Sequence, residues 1–423
     1  MEKSKVKYTQ GLSFLPGSSS DTYEGINTAR MREERAAKAK KEMKKQGVAA
    51  MVVTGALNVR YLTGFHWYEY SPYLSYCLFF AEGDPIIFAH AGSYQQMPEE
   101  MPWVKHWRIA RSTCGDIGTA AAIKEEYDLF AKEIQQELQQ RKLENEKLGI
   151  IGFDTWAREA LKAKGLNVVE AFALLMDACK CKTVDEVNCL RLAADMVGVG
   201  WQRFMDYARP GMTTGEVHRE VYQAISAAGA DHVGGFPISG PMTFERCVTI
   251  MPRRINKGDM LYYPLCGTSY LAYTACLYRS FKMGADPTAQ EKGWYNRVKD
   301  TLDTCVEATK IGNTTADVAK CFPPASKWGY KDEADVLTIE FGHGIGLVDG
   351  NSSHVHYNHP VINRYWSLKH PQPFEEGMVI AYESCEGEHR IGGARLEYDI
   401  VVTKDGPVRL DSFPADEIMV VGT

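Results

Sequence analysis

Nowhere does the chain carry an uninterrupted apolar run near the ~18 residues that a membrane-crossing helix needs, so no membrane span is expected. The N-terminal stretch MEKSKVKYTQGLSFLPGSSSD has lysines but no apolar core behind them, so it does not read as a secretory signal. An excess of basic charge is also missing. Lys and Arg number 48 against 54 Asp and Glu, a net charge of −6 spread along the chain. That leaves no footprint for nucleic acid or an anionic membrane surface. Eleven cysteines are present but none in CxxC spacing, and Cys179, Cys181 and Cys189 suit no common zinc module. Scattered thiols in odd number fit a reducing, cytoplasmic setting, most of them as buried packing residues.

What is present is length: 423 residues are enough for two domains with sizeable cores. Gly25 to Gly47 reads as a charged helix, VAAMVVTG as a buried strand and NVRYLTGFHWYEYSPY as a loop. A hairpin turning at Gly83-Asp84-Pro85 follows, then a helix from about Ile117 to Lys147, the strand KLGIIGFD and a helix from Trp156 to Lys164. Strands alternating with helices imply an α/β layer domain. The boundary falls near Lys180, where Thr183 and Glu186 have capping-box spacing ahead of Val187, Leu190, Ala193, Ala194 and Val197 at helical period. A second helix has Thr214 as its expected N-cap, and another runs from about Gly293 to Ile311.

Between Gly258 and Phe281 the chain reads GDMLYYPLCGTSYLAYTACLYRSF, followed by FGHGIGL around His343, EEGMVIAYES around Glu383 and ARLEYDIVVTKDG around Glu397. Together these resemble the C-terminal half of the pita-bread superfamily of methionine aminopeptidases, prolidases and creatinases. Asn58 to Phe65 resembles a signature of the creatinase and prolidase N-terminal domain. The resemblance implies an α/β (α+β) fold, with a creatinase-type α/β domain over residues 1–180 and a pita-bread domain over 181–423. Metal-using members hold two divalent ions with two Asp, one His and two Glu. Anchoring on Gly267, Tyr273 and Arg279 places Leu265 and Cys276 at the two Asp positions, while His343, Glu383 and Glu397 remain. Leucine cannot ligate a metal, so the two-metal site is not expected.

Two carboxylates at close range without a cation raise one another's pKa, and an organic cation would relieve them. Guanidinium suits the task because its planar fork matches a carboxylate. The expectation is therefore a metal-independent, creatinase-like hydrolase without cofactor, cleaving a C–N bond of a small cationic or zwitterionic substrate of guanidino or betaine type. Glu383 and Glu397 would clamp the cationic head, with Arg279 and Tyr263 beside it, and His343 would orient or protonate it. Cys247 stands where creatinase-like relatives carry the acid/base histidine; it could move a proton, attack an amidine carbon or be inert. Either His354 or His356 is a further acid/base candidate. In related homodimers the aromatic N-terminal loop reaches the partner's site, which would bring Phe65 and Trp67 to the substrate by cation–π attraction. Three alternatives stay open. One is a sulfonium lyase of the dimethylsulfoniopropionate kind. Another is a prolidase-like peptidase with one divalent metal ion on His343, Glu383, Glu397 and Cys276. The third is an inactive pita-bread binding protein.

Overall fold

The computed structural model describes residues 25–65, 75–92, 94–113, 118–245, 253–336, 341–347 and 358–423. Cys247, His354, His356 and Trp67 lie outside the described residues. Two compact units emerge: one spans Thr28–Cys179, and the other spans Lys180–Thr423 together with residues up to Asn27.

The N-terminal unit contains α1 (Thr28–Gln46), β1 (Ala50–Thr54), α2 (Ala56–Thr63), β2 (Tyr76–Phe80), β3 (Ile86–Ala89), α3 (Met97–Glu100), β4 (His106–Ile109), α4 (Ala120–Gln140), β5 (Lys147–Ile151), α5 (Thr155–Ala163), β6 (Asn167–Glu170) and α6 (Phe172–Lys180, its last residue crossing the boundary). Its six strands run in the order β4-β3-β2-β1-β5-β6, with β2 antiparallel to both neighbours and the outer pairs parallel. Both faces of β1 and β2 are buried, as expected of a sheet covered by helices. The segment from Asn58, expected as loop, is helical as far as Thr63. It buries Val59, Tyr61, Leu62 and Thr63 and stops where Gly64 turns left-handed at φ 73°.

In the C-terminal unit α7 (Val184–Tyr207) starts at the capping box Thr183/Glu186. The cap of α8 (Thr214–Ala227) is Thr213 rather than Thr214, because Glu216 stands three residues after Thr213 and completes a capping box with it. Next come β7 (Ile238–Ser239), β8 (Met260–Pro264), β9 (Thr268–Tyr270), β10 (Tyr273–Ala275), β11 (Tyr278–Met283), α9 (Ala289–Ala308) and α10 (Thr315–Ala319). The chain closes with β12 (Gly342–Gly344), β13 (Asn358–Ile362), α11 (Arg364–Lys369), β14 (Val379–Glu388), β15 (Gly392–Thr403), β16 (Gly406–Arg409) and β17 (Met419–Val421). One sheet has the order β17-β11-β8-β7, a second β13-β12-β14-β15-β16, and β9 and β10 form a hairpin.

Alternation along β14 and β15 divides the five-stranded sheet into two faces. Ile380, Tyr382, Leu396, Tyr398 and Ile400 join Trp294, Val298 and Leu302 of α9 in a hydrophobic core. The opposite face meets β11: Ser280 Oγ donates to the Arg395 carbonyl at 2.8 Å, and Cys276 N donates to Asp399 Oδ2 at 3.1 Å. That second face holds the polar side chains.

Candidate active site

Strand register gathers the site. His343 of β12 stands opposite Ala381 of β14, which stands opposite Asp399 of β15, and two residues along Glu383 stands opposite Glu397. Directly paired residues share a face, as do residues two apart, so His343, Glu383, Glu397 and Asp399 all project from the face that meets β11. Asp399 joins them without having been singled out by its sequence context. A fully buried acid on an apolar strand was the available signal.

The tips of β8 and β11 supply the other side. Leu265 N donates to the Leu277 carbonyl and Gly267 N to the Ala275 carbonyl, so Cys266 lies directly across from Cys276. Cys266 Sγ is 3.3 Å from Glu397 Oε2, and one donor atom each from Cys266, Cys276 and Glu397 lies within 4.8 Å of the others. Leu265, expected to face this space, is fully buried on the other side, its Cδ1 close to Gly200 of α7. The reversal comes from a bulge. Thr268 pairs with Ala275 in the hairpin, but Pro264 pairs with Tyr278 below it, so four steps on one strand match three on the other. An unbroken ladder would have kept Leu265 on the face of Cys276. The extra residue, with Gly267 at φ 98°, turns Leu265 out and Cys266 in.

Glu397 is fully buried, and its Oε1 has no hydrogen-bond partner. Burial pushes its carboxyl well above the usual carboxylate range, with Cys266, Glu383 and Asp399 adding to the effect. Burial does the same to Asp399, whose Oδ1 also lacks a partner. The hydrogen bond to Cys266, then burial, raises the Cys276 thiol. Surroundings that disfavour the anions of Glu397, Asp399 and Cys276 are ones that a cation would stabilise. Tyr278 donates its hydroxyl to Glu383 Oε2 at 2.6 Å, fixing that half-buried carboxylate. The Nδ1 of His343 is 3.3 Å from the Gly344 carbonyl, so in the neutral ring Nδ1 carries the proton and Nε2 is the acceptor.

Two expected substrate contacts face elsewhere. Arg279 pairs with Asp411 at 2.5 Å, donates to the Glu397 and Tyr278 carbonyls and is wholly buried, so it braces β15 from behind the site. Tyr263 points to the opposite side of β8, packing on Phe204 and contacting His218 Nδ1 through its hydroxyl at 2.9 Å. Phe65 is buried beside Trp107 in the N-terminal unit.

The donor set fits a single divalent ion. Zinc binds thiolates at about 2.3 Å and carboxylate oxygen at about 2.0–2.2 Å, which puts tetrahedral donors roughly 3.5–3.8 Å apart. Three donors already within 4.8 Å, one of them a carboxylate with an orphaned buried oxygen, reach that spacing by small side-chain adjustments.

Comparison with known proteins places the chain among metallopeptidases. Residues 188–404, just over half of the chain, match metallopeptidase family M24, and residues 35–175 match the creatinase/prolidase N-terminal domain. An uncharacterized peptidase of Staphylococcus aureus (strain bovine RF122 / ET3-1) is 24% identical over 373 residues, covering 86% of this chain and 95% of its own. Among solved structures, the dipeptidase PepE of Mycobacterium ulcerans superposes with a TM-score of 0.72 at 23% identity, covering 94% of this chain and 99% of that one. The prolidase of Pyrococcus horikoshii OT3 gives 0.70 at 22%, covering 91% and 100%. The fold they share is the pita-bread fold with a creatinase-type N-terminal domain. These matches correct two expectations. A metallopeptidase family is at odds with an enzyme that needs no metal cofactor. Relatives named as peptidases are at odds with a hydrolase of non-peptide C–N bonds and with a lyase.

Proposed function

The chain belongs to metallopeptidase family M24, and from that premise we propose that it hydrolyses the peptide bond of small peptides at the face carrying Glu397, Glu383 and His343, with a divalent cation as cofactor. The observation that carries this reading is the buried Glu397 carboxyl, whose Oε1 has no partner and which lies beside two thiols. A bound divalent ion supplies a Lewis acid that polarises the scissile carbonyl.

The chain's own groups supply the rest. Glu383, held by the Tyr278 hydroxyl, accepts a proton from the attacking water and returns it to the leaving amine nitrogen. His343, with Nε2 free of the proton that Nδ1 carries, offers a hydrogen-bond acceptor on the same face. The Tyr262 and Tyr278 rings, 6.1 Å apart and both buried, keep bulk water from one side of the carboxylate pair. Dipeptides, with Xaa-Pro peptides among them, are the substrate class to try first, since the structural relatives are named as dipeptidases and prolidases.

The test is hydrolysis of a dipeptide panel by the purified chain, with added Zn²⁺, Mn²⁺ or Co²⁺ and with chelator. Turnover that chelator abolishes is expected, and Glu397→Gln should lower kcat/KM about a hundredfold or more. Chelator-insensitive turnover, or none by metal-loaded protein across the panel, would sink the proposal.

A further inference from the structure

Two of the three gathered donors are sulfur, and this narrows which ion the face can hold. We propose that the cation is a single thiophilic ion of the Zn²⁺ class, bound by the Sγ atoms of Cys266 and Cys276 and a carboxylate oxygen of Glu397. The inference rests on the peptidase reading above and adds to it the identity and number of the metal.

The placement is built into the backbone. Cys266 and Cys276 are cross-strand partners bracketed by the hydrogen bonds Leu265 N to Leu277 O and Gly267 N to Ala275 O. Gly234 and Gly235 pack so closely on this strand tip that a Cβ would come within 2.1 Å of the Cys266 carbonyl oxygen and 1.9 Å of the Pro264 carbonyl oxygen. Cys266 does not sit in an apolar pocket as a packing thiol would; its Sγ faces Glu397 Oε2 at 3.3 Å and is only partly buried. Glu397 is fully buried with Oε1 unpartnered, so the third donor keeps an oxygen with no hydrogen bond to give up when an ion binds.

Hard ions such as Mg²⁺, Ca²⁺ and Mn²⁺ favour all-oxygen shells, whereas thiolates select Zn²⁺ and its soft neighbours. Among the described residues, this is the one His, Cys, Asp and Glu group with donors close enough for a shared ion, which favours one ion over two. Binding is proton exchange without redox change. Each thiol, and the Glu397 carboxyl where protonated, releases its proton to solvent as its bond to the metal forms.

Cobalt titration of the reduced full-length protein tests this. The expected result is one Co²⁺ per chain by elemental analysis, with a near-ultraviolet thiolate-to-cobalt charge-transfer band. Cys266→Ser and Cys276→Ser should each remove most of that band and weaken binding at least about tenfold. Should those variants fold poorly, the unaltered chain gives a second readout. Zn²⁺ should slow alkylation of Cys266 and Cys276 by iodoacetamide at least about tenfold, leaving partly buried Cys181 and Cys321 unchanged. Bound cobalt without the band and without thiol protection would overturn the thiolate site while leaving the metallopeptidase reading standing. No bound metal, together with no dipeptide hydrolysis, would overturn both.

Discussion

Asp195, half-buried on α7, shows what a carboxylate does when it accepts no hydrogen bond and the one neighbouring cation does not offset its burial. Neither of its oxygens has a hydrogen-bond partner, and burial pushes its pKa from 3.8 up to about 7 against the opposing pull of Arg191. A folded-state pKa above the unfolded value means that the group favours folding while protonated. That contribution is complete below about pH 4 and disappears as pH rises through about 7. Asp195→Asn removes the charge but keeps the shape, so it should exceed the parent in unfolding free energy by about 2–4 kcal/mol at pH 8. The gap should close toward pH 4. Urea melts of both proteins from pH 4 to 8 would decide it, and parallel stability curves would show that Asp195 does not titrate in that window. Glu397 and Asp399 are more completely buried and belong to the gathered face, where the proposed cation would resolve the conflict.

At the level of elements, the capping box at Thr183 and Glu186 and the apolar period behind it were legible in the sequence, because both are local patterns that packing then reinforces. So was the approach of Glu383 to Glu397, since two apolar strands with matched family motifs place both acids on one face. The β8–β11 tip was not legible. Its hairpin turns at Leu271 and Ala272, both left-handed at φ 50° and 62°, without the Asn-Gly or Asp-Gly that marks such turns. Asp231, forty positions back, stabilises the turn by accepting from both turn amides, a contact no local window reveals. The adjoining bulge exchanges Leu265 for Cys266, and a one-residue slip brings a thiol in place of an apolar side chain to the face of Glu397. Gly234 holds that tip in place. Gly234→Ala would drive a Cβ to 2.1 Å from the Cys266 carbonyl oxygen, with only backbone there to yield. The expected loss is about 1–3 kcal/mol of stability, accompanied by loss of high-affinity Zn²⁺ binding in calorimetry. Unchanged zinc affinity would place the metal away from Cys266.

Across the whole molecule, the two units carry separate hydrophobic clusters, one around β1, β2 and α4 and the other between α9 and the β14–β15 face. The residues proposed to hold the metal all belong to the second unit, and no described helix of either is long and apolar enough to cross a membrane. A ligand that binds the folded state stabilises it by RT ln(1 + [L]/Kd), about 2.7 kcal/mol at a hundredfold excess over Kd. That energy is delivered where the donors are. Amides of β8, β11, β14 and β15 that exchange only through unfolding of residues 180–423 should therefore slow by about a hundredfold on saturation with Zn²⁺. Amides of β1, β2 and β5 in residues 28–179 should keep their rates and serve as the internal reference. Hydrogen exchange read by mass spectrometry resolves the two sets. Slowing confined to 180–423 and reversed by chelator is the expected pattern. No slowing in 180–423 would mean that the Cys266, Cys276 and Glu397 face holds no zinc ion, because those three donors join strands of that unit.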